Sequence, residues 1–175
     1  ETLHQTKEAE SLGADACLLV TPYYNRPTQE GLYAHFKKVA ETTSVPLVLY
    51  NVPGRTGCDL LPETIGRLSS IEGIVGIKEA SGKIERVSEI RSVSATDFFI
   101  LSGEDALTLE MMNNGAVGTI SVTANVLPKA MAEFCDSFLS GNIKRASAID
   151  EVLQSVHEIL FIESNPTPAK WALHQ

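Results

Sequence analysis

Short apolar runs alternate with amphipathic stretches along most of the chain, and this alternation restricts the fold more than any other feature of the sequence. The runs have the length of β-strands and are apolar at successive positions, which is typical of strands buried on both faces. The predicted strands are residues 16–21, 47–51, 74–80, 98–102 and 116–121. Helical periodicity occupies residues 1–12, 30–42, 62–68, 84–93 and 106–113.

The intervals between the runs are long enough for right-handed crossovers, so the chain predicts a parallel α/β fold. Five βα units fit either a doubly wound sheet or part of a (β/α)8 TIM barrel. No GxGxxG follows a strand and no Walker-type GKS or GKT occurs, which disfavours nucleotide-binding versions. Polar residues cluster after the strand ends, where barrel active sites are built. We therefore predict the C-terminal five units of a barrel at residues 1–125, with three strands upstream, and a truncated C-terminal helical region at 126–175.

Composition disfavours several kinds of partner and site. The 14 basic and 22 acidic residues give a net charge of -8 without a basic cluster, which argues against nucleic acid or an anionic membrane surface. No apolar run is long enough to predict a transmembrane helix. The 3 cysteines are far apart and lack CxxC spacing, so we expect reduced thiols in a cytoplasmic protein. The 4 histidines form no metal-spaced pair, and no metal site is predicted.

Lys78 is unusual because it lies near the end of an apolar run, after residues 73–77. Burial lowers the pKa of a lysine and leaves a neutral amine that can attack a carbonyl carbon. The ordinary alternatives are a lysine that reaches solvent at the strand end or one that pairs with an acid. The segment alone leaves these alternatives open.

Two further side chains suit carbonyl chemistry. Tyr50 falls late in its strand, as Lys78 does, so both can face the barrel interior, where a phenol can relay protons. Arg55 follows on a Pro-Gly turn and offers a fork that binds a carboxylate. Taken singly, Tyr50 fits a core position, Arg55 a surface charge, and Tyr23 with Tyr24 a pair of interface aromatics. An amine, a phenol and a carboxylate clamp together predict a 2-oxo acid substrate.

Six motifs stand out along the chain, and the first three contain these residues. They are TPYYNRP at 21–27, YNVPGRTG at 50–57, GIKEAS at 76–81, SGED at 102–105, GTISVTANV at 118–126 and NPTPAK at 165–170. With this joint spacing the chain resembles, over essentially its whole length, the dihydrodipicolinate synthase family of pyruvate-dependent class I aldolases, which also includes N-acetylneuraminate lyase. The resemblance implies condensation of pyruvate with L-aspartate 4-semialdehyde to 4-hydroxy-tetrahydrodipicolinate, the first committed step of the diaminopimelate and lysine pathway.

The resemblance also implies roles for individual residues. Lys78 becomes the Schiff-base lysine and Tyr50 the general acid and base, so no cofactor is expected beyond the covalent imine. Tyr24 is similar to a relay tyrosine that reaches across a dimer interface, which implies a homo-oligomer, a dimer or a tetramer. Arg55 resembles the arginine at the site entrance that binds the substrate carboxylate.

Four other residues receive roles only through the resemblance. Gly103 lines the expected pyruvate pocket, and Ile120 falls where the family contacts pyruvate through its backbone. Tyr23 and Glu1 resemble positions of an allosteric pocket for L-lysine at the dimer interface. The threonine pair of the proton relay would lie upstream of residue 1, so the chain as given is not expected to turn over by itself.

Two rival functions share part of this residue pattern. Another aldolase of the family, such as N-acetylneuraminate lyase or a 2-keto-3-deoxy sugar acid aldolase, usually lacks the counterparts of Arg55 and Tyr24, and their presence favours the synthase. A non-catalytic barrel that binds a carboxylate ligand should have lost Lys78, Tyr50 or Arg55. All three are present, which disfavours that alternative.

Overall fold

Four strands form one sheet in which the strand order follows the sequence, β1-β2-β3-β4. In the computed structural model, which describes residues 1–175, β1 pairs with β2 and β2 with β3 in parallel. The strands are β1 Cys17–Val20, β2 Leu47–Asn51, β3 Ile74–Glu79 and β4 Phe99–Ser102. A doubly wound sheet reverses its strand order at one point. The unbroken order therefore fits the barrel alternative, and the predicted α/β fold is confirmed.

Helices alternate with the strands and then continue to the end of the chain. The helix after β1 begins beyond Thr28, whose hydroxyl accepts a hydrogen bond from the Gly31 N–H at 3.2 Å. None of the helices combines the length and the apolar composition needed to cross a membrane. The helices are α1 Thr2–Ser11, α2 Gln29–Ala40, α3 Pro53–Thr56, α4 Pro62–Ser69, α5 Glu85–Val93, α6 Thr108–Asn113, α7 Pro128–Leu139, α8 Ile143–Ile159 and α9 Thr167–His174.

The fifth predicted strand is reduced to a single bridge. Within residues 116–121, only Thr119 pairs with the sheet, in a parallel bridge to Ser102. The Ser102 N–H donates to the Gly118 carbonyl at 2.8 Å, and the Ile120 N–H donates to the Ser102 carbonyl at 2.9 Å. Because Ser102 is the last residue of β4, the ladder ends there. The prediction of a six-residue strand was therefore too long.

The chain consists of two compact units, Glu1–Leu101 and Ser102–Gln175. In the first unit, β3 packs against α4, and α4 against α2 and α5. Each large side chain buried there contributes about 2 kcal/mol; they include Leu32, Phe36, Leu47, Leu49, Ile65, Leu68, Ile77, Val87 and Ile90. In the second unit α7 packs against α8, with Met131, Phe134, Ala146, Ile149 and Leu153 buried. The predicted division after residue 125 stays a prediction.

The two faces of the sheet differ in exposure. Leu18 and Val20 of β1 are 42% and 37% exposed, whereas the residues that alternate with them are buried. Successive residues of a strand point to opposite faces. Val20 pairs with Tyr50 of β2, and Tyr50 pairs with Lys78 of β3, so these three side chains share the less covered face.

Candidate active site

Tyr50 and Lys78 lie side by side on adjacent strands. They are direct partners in the pairing of β2 with β3, and each is half-buried. The Lys78 Nζ lies over the Tyr50 ring, 4.2 Å from the ring centroid. A lysine ammonium group at this distance interacts favourably with the face of the ring. The structure thus brings together the amine and the phenol that were predicted to act as a pair.

An irregularity in the sheet produces this pairing. Leu47 pairs with Ile74, but the next residue of β2 pairs with Gly76, so Val75 has no partner in the register. One extra residue in one strand is the defining feature of a β-bulge. Without the bulge Tyr50 would lie opposite Ile77 and not opposite Lys78.

A one-turn helix positions Arg55 beyond the end of β2. Pro53 occupies the first position of α3, and Gly57 ends it in the left-handed conformation with φ 65. The Gly57 N–H donates to the Pro53 carbonyl at 2.8 Å. This turn, which the sequence patterns did not predict as a helix, holds Arg55 exposed at the mouth of a hollow. The hollow has a volume of about 410 Å³ and is lined by Leu18, Val20, Tyr23, Tyr50, Val52, Arg55 and Thr56.

A second hollow shares Tyr23 and Arg55 with the first and adds Tyr24. Its volume is about 460 Å³. Tyr24 is 97% exposed and Tyr23 is 63% exposed. The two hollows together place four of the predicted site residues, Tyr23, Tyr24, Tyr50 and Arg55, on one continuous part of the first unit.

A buried polar network lies on the opposite face of the same two strands. Asn51 pairs with Glu79 in the register, and both are fully buried. The Asn51 Nδ2 donates to Glu79 Oε2 at 3.1 Å and to Asp59 Oδ1 at 2.9 Å. Arg86 of α5 donates to both oxygens of Asp59 at 3.0 Å. The Ser81 N–H donates to Glu79 Oε1 at 2.7 Å.

The two carboxyl groups of this network differ in pKa. Burial raises the pKa of Glu79, although the hydrogen bonds from Ser81 and Asn51 and the charge of Arg86 act in the opposite direction. Burial has the same effect on Asp59, but there the hydrogen bonds from Arg86 and Asn51 and the charges of Arg86 and Lys83 prevail and lower the pKa. The guanidinium therefore stabilises the negative charge chiefly on Asp59.

Gly103 and Ile120 belong to the second unit. Ile120 is 37% exposed, and its N–H is engaged by the Ser102 carbonyl. The buried carboxylate of Asp105 accepts the N–H groups of Val122 at 2.9 Å and Thr123 at 2.8 Å. These bonds connect the loop that follows Ile120 to Asp105.

Glu1 and Tyr23 do not line the same hollow. Glu1 contributes to a hollow of about 320 Å³ together with Thr2, Leu3, His35, Lys38 and Val39. Within the first unit, the two residues predicted to share an allosteric pocket therefore face different hollows. Their common role stays a prediction.

Sequence reasoning missed the four members of the buried network, Asn51, Asp59, Glu79 and Arg86. A signal existed for two of them, because Asn51 and Glu79 are polar residues at the ends of apolar strands, directly after Tyr50 and Lys78. Asp59 and Arg86 lie in a loop and a helix, where charged residues are ordinary. Their pairing is visible only in three dimensions.

The arrangement suits imine chemistry at a carboxylate-bearing ketone. It combines an amine nucleophile, a phenol that can donate and accept protons, and a guanidinium at the mouth of the hollow. No group of three or more His, Cys, Asp or Glu side chains is placed to hold a metal ion.

Comparison with known proteins gives a consistent result. The model of the dihydrodipicolinate synthetase family matches residues 1–175. The 4-hydroxy-tetrahydrodipicolinate synthase of Methylococcus capsulatus is 56% identical over 175 residues, which are 100% of this chain and 60% of that protein. The synthase of Pseudomonas aeruginosa is 54% identical with the same coverage. The chain thus spans about 60% of the length of the curated relatives it matches.

Solved structures agree with the fold. Dihydrodipicolinate synthase from Aquifex aeolicus superposes with a TM-score of 0.97 at 44% identity, over 99% of this chain and 60% of that one. The chloride-inhibited enzyme from Acinetobacter baumannii complexed with pyruvate gives a TM-score of 0.95 at 50% identity, over 98% of this chain and 59% of that one. The likeness confirms the predicted barrel-type α/β fold.

Proposed function

The chain belongs to the dihydrodipicolinate synthetase family, and we propose that the full-length protein is a lyase that condenses pyruvate with L-aspartate 4-semialdehyde to give 4-hydroxy-tetrahydrodipicolinate. The observation that carries this proposal is the position of the Lys78 Nζ, 4.2 Å from the centroid of the Tyr50 ring. Imine formation needs a nucleophilic amine and a nearby group that moves protons. Lys78 and Tyr50 supply both.

In the first half of the reaction, the neutral Lys78 amine attacks the ketone carbon of pyruvate and forms a carbinolamine. Tyr50 protonates the departing hydroxyl, and water leaves as the imine forms. Loss of a proton from the methyl group then gives an enamine, with the protonated imine as the electron sink. The covalent imine performs this task without a separate cofactor.

In the second half, the enamine carbon attacks the aldehyde carbon of aspartate semialdehyde, and the new alkoxide takes up a proton. The amine of that substrate adds to the imine carbon and displaces Lys78, which closes the ring and frees the lysine. We assign proton exchange with bulk water to the exposed Tyr24 and carboxylate binding to Arg55 at the mouth of the hollow. Gly103 and Ile120 are assigned to the pyruvate pocket.

Two relatives support the choice of ligands. The Acinetobacter baumannii enzyme was crystallised with pyruvate, and the enzyme from Cyanidioschyzon merolae, 39% identical, with lysine bound. We propose L-lysine as an inhibitor that contacts Tyr23 and Glu1. We also propose a homo-oligomer, a dimer or a tetramer, in which Tyr24 reaches across the interface toward the site of the neighbouring subunit. Tyr23 and Tyr24 form an exposed aromatic pair that suits such an interface.

Borohydride trapping tests the proposed chemistry. Full-length protein is incubated with pyruvate and borohydride, digested and examined by peptide mass spectrometry. We expect a reduced pyruvate adduct on Lys78, no adduct in Lys78→Ala, and an unchanged adduct in Lys83→Ala, a control at an exposed lysine. A folded wild-type protein without an adduct would refute the Schiff-base mechanism.

Three further measurements complete the test. Tyr50→Phe should slow imine formation by about 10²- to 10⁴-fold, the usual contribution of a general acid and base. Turnover with aspartate semialdehyde but not with sugar aldehydes should separate the synthase from the sugar acid aldolases. An inhibition curve with L-lysine tests the allosteric assignment, and a flat curve would remove it.

A further inference from the structure

Glu79 is a buried acid that the proposed chemistry does not use. It is fully buried and directly follows half-buried Lys78 on β3. Neighbouring strand residues point to opposite faces, so Glu79 points away from the reacting amine. A buried carboxyl group destabilises a protein unless its hydrogen bonds are satisfied, and its contacts indicate what it does.

Those contacts join the two strands that carry the reacting pair. Glu79 Oε2 accepts the Asn51 Nδ2 at 3.1 Å. Asn51 and Glu79 are partners in the register, one position beyond Tyr50 and Lys78. The side-chain hydrogen bond therefore links β2 to β3 directly behind the Tyr50–Lys78 contact.

The Asn51 amide is itself held in one orientation. Its Nδ2 also donates to Asp59 Oδ1 at 2.9 Å, and its Oδ1 accepts the Leu60 N–H at 2.9 Å. Asp59 in turn is bound through both oxygens by Arg86. If the Asn51 amide were flipped, its NH₂ group would face the Leu60 N–H, and two donors would meet. The Asn51 Nδ2 must therefore face the carboxyl groups of Asp59 and Glu79.

The hydrogen bond between Asn51 and Glu79 occurs in a register that differs from the uninterrupted pairing of the two strands. The bulge at Val75 shifts β3 by one residue relative to β2, and the unshifted register would place Asn51 opposite Lys78. A slip of one residue moves every side chain of a strand to the other face. The hydrogen bond between Asn51 and Glu79 forms only in the observed register.

We propose that Glu79 and Asn51 are positioning residues, whose buried hydrogen bond holds Tyr50 and Lys78 opposite each other on the other face of the sheet. This inference rests on the proposed function of Lys78. It assigns to the buried network a role in the rate of imine formation and not only in stability.

The network requires a group with two acceptor atoms at position 79. Glu79 Oε1 accepts the Ser81 N–H and Oε2 accepts the Asn51 Nδ2. In Glu79→Gln, one orientation of the new amide directs its NH₂ at the Asn51 NH₂, and the other directs it at the Ser81 N–H. Both orientations bring two donors together, so this nearly isosteric change breaks the link between the strands.

The test measures single-turnover imine formation in the full-length protein. Wild type and Glu79→Gln are mixed with increasing pyruvate and quenched with borohydride at set times, which yields a maximal rate and a half-saturating pyruvate concentration. We expect Glu79→Gln to lower the maximal rate by about 10- to 100-fold, because small misplacements of reacting groups have effects of this size. The half-saturating concentration should stay near the wild-type value, because the link does not face pyruvate.

Thr64→Val is the control for a general loss of stability. The Thr64 hydroxyl donates to Gln29 Oε1 at 2.7 Å between α4 and α2, at a buried position outside the β2–β3 pairing. It should destabilise the protein and leave the maximal rate unchanged. An equal fall in Thr64→Val, or a wild-type maximal rate in Glu79→Gln, would overturn the inference.

Two outcomes need separate treatment. If Glu79→Gln does not fold, Glu79→Asp takes its place. The aspartate keeps the negative charge, but its side chain is one methylene shorter and cannot reach Asn51. A wild-type maximal rate in Glu79→Asp would equally overturn the inference. If wild-type protein forms no adduct with pyruvate, the proposed function fails and this inference fails with it. An adduct in wild type with no rate difference in the variants refutes the positioning role alone.

Discussion

Gly76→Ala should destabilise the protein through one close contact. Gly76 lies in β3 next to the bulge, and a Cβ there would come within 2.4 Å of Cδ2 and Cε2 of the Phe99 ring. It would also lie 2.7 Å from the Phe99 carbonyl oxygen. The ring can rotate away, but the carbonyl belongs to the backbone of β4, so the strands themselves must separate.

The expected magnitude is the difference between two terms. Forcing an extra methyl group into a packed site costs about 1–3 kcal/mol, and the backbone contact places Gly76→Ala near the upper value. Replacing glycine by alanine reduces the freedom of the unfolded chain, which stabilises the folded state by about 0.4–1 kcal/mol. The net loss in the free energy of unfolding is therefore about 2 kcal/mol.

Urea denaturation of the full-length protein measures this loss. With a slope of about 2 kcal/mol per molar urea, the midpoint should fall by about 1 M. Gly54→Ala is the matched control, because nothing lies within 4 Å of its Cβ position and its midpoint should stay the same or rise slightly. Phe99→Leu combined with Gly76→Ala should recover only part of the loss. A midpoint for Gly76→Ala at or above wild type would refute the reasoning.

Three further variants probe the buried charges. Arg86→Met should lower the free energy of unfolding by about 2 kcal/mol in urea denaturation, because the partly buried Asp59 carboxylate loses its bidentate partner. An unchanged midpoint would contradict this. Asp105→Ala should lower it by about 2 kcal/mol, because two backbone N–H groups lose their charged acceptor; a neutral effect would show that water replaces it. Burial lowers the pKa of His157 from its usual 6.5, so the unfolded chain binds a proton there that the folded chain does not, and stability should fall as pH decreases through about 6.5. His157→Gln should flatten this slope in thermal melts between about pH 7.5 and about pH 5.5, a range that brackets the pKa of an unfolded histidine. Equal slopes in wild type and His157→Gln would contradict this prediction.

Strand positions were predictable because a buried strand consists of consecutive apolar residues, which can be recognised in the sequence. The run at 47–51 coincides with β2, and the run at 74–80 exceeds β3 by one residue. The bulge cannot be recognised in the sequence, because Ile74, Val75 and Ile77 are apolar whether or not they have a pairing partner. The predicted closeness of Tyr50 and Lys78 was correct, but it depends on this bulge, which the apolar pattern does not reveal.

The remaining features depend on contacts that are distant in sequence. Asn51 and Glu79 are separated by 28 positions, and the pairing of Asp59 with Arg86 depends on where α5 packs against α4. The fifth strand was overestimated because its apolar residues predict an extended segment, whereas only Thr119 finds a pairing partner in the structure. Pairing partners, unlike strand propensity, are not a local property.

The turn that carries Arg55 is a self-contained piece of backbone, and this makes the entrance of the site open to redesign. The turn is closed by its own hydrogen bonds, from the Gly57 N–H to the Pro53 carbonyl and from the Thr56 hydroxyl to the Val52 carbonyl at 3.1 Å. Because these bonds hold the backbone of the turn, a library of side chains at position 55 can alter which aldehyde is accepted while the turn keeps its conformation. The choice of aldehyde and the imine-forming reaction can therefore change independently of each other, both in engineered variants and during evolution.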